Sequence, residues 1–162
     1  MTMASEIERK ILKQIPLCIG SIKAVGRNHV NSSQGFKFRS INDVFDAVNI
    51  VFAEHGVTIE PQYQIVRDEV GLNRKGDPQR IVLLKGVFKF YADDGSFIQV
   101  ETFGEGIDPG DKAFYKAQTG SLKYCLFQTL QIPTNDAIDP DATGQEIGNS
   151  AEPVKTVDLP FN

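Results

Sequence analysis

The chain has 162 residues, 41% of them hydrophobic, with eleven phenylalanines, no tryptophan and a net charge of −4. That length fits one domain with a tail, and the apolar content is enough to bury a core. No run of about 18 apolar residues offers a membrane span, and the opening MTMASEIERKILKQIP has acids where a secretory signal needs a positive start, so the protein reads as intracellular.

A first helix is predicted over residues 6–15, with Ser5 and Glu8 as a capping box, Ile7, Ile11, Leu12 and Ile15 as one face, and Pro16 at its end. Cys18 and Cys125 each sit in an apolar helical pattern and read as buried thiols rather than a disulfide. With only His29 and His55 as imidazoles, no zinc site is expected, and the reading carries no cofactor. Gly26 to Gly35 reads as a loop or irregular hairpin, leading into Phe36-Lys37-Phe38-Arg39, which as an extended piece puts two aromatics on one face and two cations on the other.

A second helix is expected from Ile41 to His55, started by Ser40 and Asp43 and stopped by Gly56. Ile41, Val44, Phe45, Val48, Val51 and Phe52 recur at helical spacing. Three strands follow, Val57–Ile65, Ile81–Tyr91 and Phe97–Phe103, with Pro61 pointing to an edge or bulge and Asp93-Asp94-Gly95 to a tight turn. A glycine- and acid-rich turn from Gly104 then runs into a long last helix. The fold class is α+β, a three-stranded antiparallel meander with helices on one face. Residues 1–135 form the core domain, and 136–162 read as a flexible acidic tail.

Charge is unevenly placed: residues 1–130 balance at +1, whereas residues 131–162 carry one lysine and six acids, a balance of −5. The neutral body can therefore present a local basic surface. At about 100° per residue, Lys112, Lys116 and Lys123 fall in one narrow arc of the last helix. Ala113, Phe114, Ala117, Leu122, Tyr124, Cys125 and Leu126 are assigned to the opposite, docked side. Such a stripe, with Lys37 and Arg39 beside Phe36 and Phe38, is the mixture of cations and aromatics used on single strands. Lys85 and Lys89 fit an exposed sheet face better than a DNA contact.

The turn GEGIDPGDK is not a P-loop, because Asp111 separates Gly110 from Lys112 and Ala113 follows. Glu105, Asp108 and Asp111 leave three readings open: a Mg²⁺-dependent nuclease, a capped turn, or partners for basic side chains within or between subunits. The motif Asp158-Leu159-Pro160-Phe161 resembles the acidic tip of bacterial single-strand-binding proteins, which recruits other DNA-processing proteins. Here Asn162 follows the phenylalanine.

The segment Gly35-Phe36-Lys37-Phe38-Arg39-Ser40-Ile41-Asn42-Asp43-Val44 resembles the first signature of the ERF (essential recombination function) family. Gly104 to Ala113, continuing through Lys116-Ala117, Lys123-Tyr124 and Ile132-Pro133-Thr134, resembles the second. The resemblance covers about residues 5–141 and implies a phage-type single-strand annealing protein in a bacterial cytoplasm. It implies no enzyme activity and no ATP, assembly into a homo-oligomeric ring or helical filament, and a sheet crossed by a long helix. DNA binding is carried onto Lys37, Arg39, Lys112, Lys116 and Lys123, with base stacking on Phe36 and Phe38. Glu105, Asp108 and Asp111 become organisers of the site. Residues 136–162 become a segment for host or phage replication and recombination proteins, the third function class being an interaction module that works through that tail.

Overall fold

Ser40 starts the best-capped helix among the described residues. Its hydroxyl accepts from the Asp43 amide at 3.1 Å, and the Asp43 carboxylate accepts from the Ser40 amide at 2.8 Å, a reciprocal cap worth about 1 kcal/mol. The structure, a computed structural model, describes residues 9–30, 32, 35 and 37–134. Its elements run α1 (Ile11–Ser21), β1 (His29–Val30), β2 (Lys37–Phe38), α2 (Ile41–His55), β3 (Thr58–Leu72), β4 (Pro78–Tyr91), β5 (Phe97–Asp108) and α3 (Ala113–Thr129). Gly56 ends α2 in the left-handed conformation, φ 63°, which lacks a Cβ penalty only for glycine. The capping-box pair Ser5 and Glu8, Phe36 and the tail 136–162 lie outside the described residues.

The α+β expectation holds: β3, β4 and β5 form an antiparallel meander in that order, with all three helices on one face. Within the expected loop or irregular hairpin, His29–Val30 form β1, His29 pairing with Phe38 and Val30 with Lys37 of β2. Among the described residues no helix is long and apolar enough to cross a membrane.

The first helix, expected over 6–15, runs Ile11–Ser21: Arg9 and Lys10 precede it, residues 6–8 lie outside the described residues, and it continues past its expected end. Pro16 lies inside it, where the missing N–H removes one bond to Leu12. Continuation wins because Cys18 and Ile22 extend the buried line of Ile11 at helical spacing. Leu12, counted on the apolar face, is 55% exposed. The helix start has no side-chain cap of its own; the turn before β5 serves it, Ser96 Oγ accepting from the Ile11 amide at 3.0 Å.

The strands overrun their expected ends, and the largest correction is at Gly104 to Asp108, which is strand and not turn. Its physical reason is close packing. Gly86, Gly104 and Gly106 face the small residues Ala113, Ala117 and Ser121 of α3. A Cβ on Gly104 would sit 2.7 Å from the Ser121 amide nitrogen, and one on Gly106 2.7 Å from that of Ala117. Glycine within a strand marks this kind of backbone approach. Thr102 Oγ1 locks the seam by donating to the Ser121 carbonyl at 2.8 Å. Beyond the seam, Phe88 and Phe90 are fully buried against Val44, Val48, Phe52, Ile11, Leu126 and Leu130.

Besides Asp108, described below, three carboxylates lie below their usual range. Arg80 lowers Asp68 through donors at 2.7 and 2.5 Å, and the Ser96 hydroxyl and amide lower Asp94. Burial opposes ionisation of Asp43, but the Ser40 amide and the His29 ring, 3.1 Å away, outweigh it. Lowered native values mean the unfolded chain binds more protons on acidification. Their contribution is full above the ordinary aspartate value of about 3.9 and is lost as pH falls through the native values. The melting temperature is therefore expected to fall below about pH 4; a scan that rises through that window would contradict these pairings.

Candidate nucleic-acid interface

Residues 112, 115, 116, 119 and 123 stand at i, i+3, i+4, i+7 and i+11, so a helix brings them to one side. Because Ala113, Ala117 and Ser121 are pressed onto the strand glycines, that side faces away from the sheet. It forms an open groove of about 520 Å³ lined by Asp111, Lys112, Tyr115, Lys116, Thr119, Gly120 and Lys123. From Lys112 to Lys123 the helix rises about 16 Å. The three lysines of the expected stripe are thus brought together.

They differ in how their charge is engaged. Lys112 is exposed at the N-cap of α3 and has no side-chain cap bond. Lys116 Nζ lies 2.5 Å from Asp108 Oδ2 and donates to the Ile107 carbonyl at 3.0 Å. That bond from Lys116, with the Gly110 amide donating at 2.8 Å, lowers the Asp108 pKa. Lys123 is half-buried; burial first, and the neighbouring Arg39 second, lower its pKa.

Arg39 joins this end of the groove from a distant part of the sequence. Lys123 Nζ donates to its carbonyl at 3.4 Å, Arg39 Nε donates to the Val25 carbonyl at 2.8 Å, and the guanidinium lies 5.7 Å from the Phe127 ring centroid. Arg39 therefore also fastens the hairpin to the core. Lys37 is exposed on β2, and Phe38, 36% exposed, lies 5.5 Å from the His29 ring.

The acids do not converge. Glu105 is on the sheet face away from α3, paired with Arg67 at 2.9 Å, while Asp108 turns to Lys116 and Asp111 to the groove. Among the described residues no three His, Cys, Asp or Glu side chains are placed to hold a metal ion. Neither Asp108 nor Asp111 caps α3 with its side chain, since the N-cap is Lys112; Asp108 instead closes its own turn onto Gly110. Lys85 and Lys89 lie on the open sheet face, Lys85 paired with Glu101 at 2.7 Å and Lys89 over the Phe97 ring at 5.3 Å.

Sequence reasoning missed Tyr115, which is 64% exposed and lines the groove. Its spacing, three residues after Lys112 and one before Lys116, was the available signal. Tyr124, expected on the docked side, is 58% exposed. Cys125 is buried, and burial pushes its thiol up to about 11.

No curated protein sequence matches the chain significantly. A family model described as the ERF superfamily matches residues 11–158, spanning both the core and most of the acidic segment. That match takes in the hairpin, the glycine seam and the whole lysine groove, and this chain belongs to the ERF superfamily.

Proposed function

We propose that this protein binds single-stranded DNA along α3 and anneals complementary strands without ATP, as a phage-type recombination protein. One observation carries the reading: Lys112, Lys116 and Lys123 line one groove together with the exposed Tyr115. Cations along a groove offset phosphate repulsion, and an exposed ring offers a surface on which any base can stack. Membership of the ERF superfamily supports the same reading. No covalent step is required. Annealing needs one strand held with its bases accessible, and an open groove leaves the outer side of the strand free. A single groove of about 16 Å holds only a few nucleotides, so many copies in a ring or helical filament are needed to organise a long strand.

The test is an annealing assay with two complementary labelled oligonucleotides. Duplex is expected to form faster with the protein, in EDTA and without ATP, and Mg²⁺ should shorten neither strand. Metal-dependent shortening would replace this reading with a nuclease.

A further inference from the structure

A second recess opens beside the lysine groove, where α2, α3 and β3 meet. It holds about 190 Å³ and is lined by Ile41, Phe45, Tyr63, Gln118, Thr119 and Leu122. Thr119 lines the groove as well, so the two share a wall. Tyr115 stands three residues before Gln118 and four before Thr119, which puts it one turn away on the same side of α3. The core holds the apolar walls in place. Ile41, Phe45, Tyr63 and Leu122 pack against it, and Tyr63 meets the Phe88 ring edge-to-face at 5.7 Å. Gln118 is half-buried and Thr119 exposed, and the described residues supply neither side chain with a hydrogen-bond partner.

Size and chemistry together limit the occupant. An apolar cavity of about 150 Å³ accommodates benzene, so this recess takes one six-membered ring with its substituents and not a fused pair. Sites for whole small molecules start at about 300 Å³, so sugar and phosphate stay outside, on the lysine side. A carboxamide both donates and accepts, so Gln118 matches the edge of thymine in one orientation and that of cytosine in the other. We propose that each copy of the chain seats one pyrimidine base of the bound strand in this recess. The proposal rests on the groove being the DNA site. Phosphate contacts alone let a strand slide, and a base held to one side stops it. The other bases of the groove stay accessible for pairing.

The test measures the affinity of the full chain for three strands of equal length: oligothymidylate, oligodeoxyadenylate and an abasic strand that keeps every phosphate. Two variants are compared with the native chain. Gln118→Leu removes the carboxamide, and Thr119→Leu narrows the mouth from an exposed position with a better helix former. Oligothymidylate is expected to bind each variant roughly threefold to tenfold more weakly. The adenylate and abasic strands should change by less than about twofold. Unchanged affinity for oligothymidylate overturns the proposal. Equal losses for all three strands also overturn it, since the variants then act on the groove or the fold. Equal losses for thymidylate and adenylate alone do so too, because the recess then selects no single ring. A fall in the solution mass of Thr119→Leu without DNA places a second copy's side chain in the recess and overturns it as well. Lys112→Ala/Lys116→Ala is the separate arm: if it leaves the abasic strand's affinity unchanged, the proposed function is refuted instead.

Discussion

Gly106→Val is expected to destabilise the domain by about 3–5 kcal/mol, seen as a large drop in the urea midpoint. A Cβ at this position would lie 2.7 Å from the Ala117 amide nitrogen and 2.9 Å from the Ala113 carbonyl carbon. Both are helix backbone, which cannot rotate away as a side chain can. Relief requires α3 to lift from the sheet, which opens the contact of Ala113 and Ala117 with the fully buried Val82 and Leu84. The lysine groove rides on the same helix, so strand binding should fall with stability. Gly20→Ala is the matched control: a Cβ there meets nothing within 4 Å, and the midpoint should stay or rise slightly. Equal effects at the two positions would contradict the close seam.

The second large effect is on binding. Lys112→Ala with Lys116→Ala is expected to weaken single-strand affinity at least about tenfold at low salt, for all sequences alike. The plot of log affinity against log salt should become shallower by about 1.4, two contacts at roughly 0.7 each. Lys116 also neutralises Asp108 at 2.5 Å, so its loss leaves a bare carboxylate beside the strand. Asp108→Asn alone should act in the opposite direction, freeing Lys116 and tightening binding a few-fold. The asparagine can still accept from the Gly110 amide, so the turn is kept. Fluorescence anisotropy with a labelled oligonucleotide measures all three.

What was legible in the sequence was local. Ser40, Asp43 and Gly56 bracket α2 because a cap and a C′ glycine act within a few residues, and the structure places them as spacing indicated. The lysine arc was legible for the same reason, since helical period alone sets it. Tertiary contacts hid the rest. Gly104 and Gly106 read as a turn, yet they pair with Leu84 and Val82 of β4, and the backbone of α3 overhead leaves no room for a side chain there. Pro16 read as a stop, yet the core around Cys18 carries α1 through it. The links from Lys123 to Arg39 and from Glu105 to Arg67 join residues 84 and 38 apart. No local rule reports such pairs, so the split of the three acids between two sheet faces was not readable beforehand.

Photo-cross-linking of a single strand to the full chain, with the attached peptides mapped, tests the DNA-facing role of α3 most directly. Cross-links are expected at Tyr115 and its neighbours between Lys112 and Lys123, and to disappear with Lys112→Ala/Lys116→Ala. Cross-links confined to the open sheet face, at Phe97 or Phe103 beside Lys85 and Lys89, would contradict that role and place the strand on the other side of the sheet.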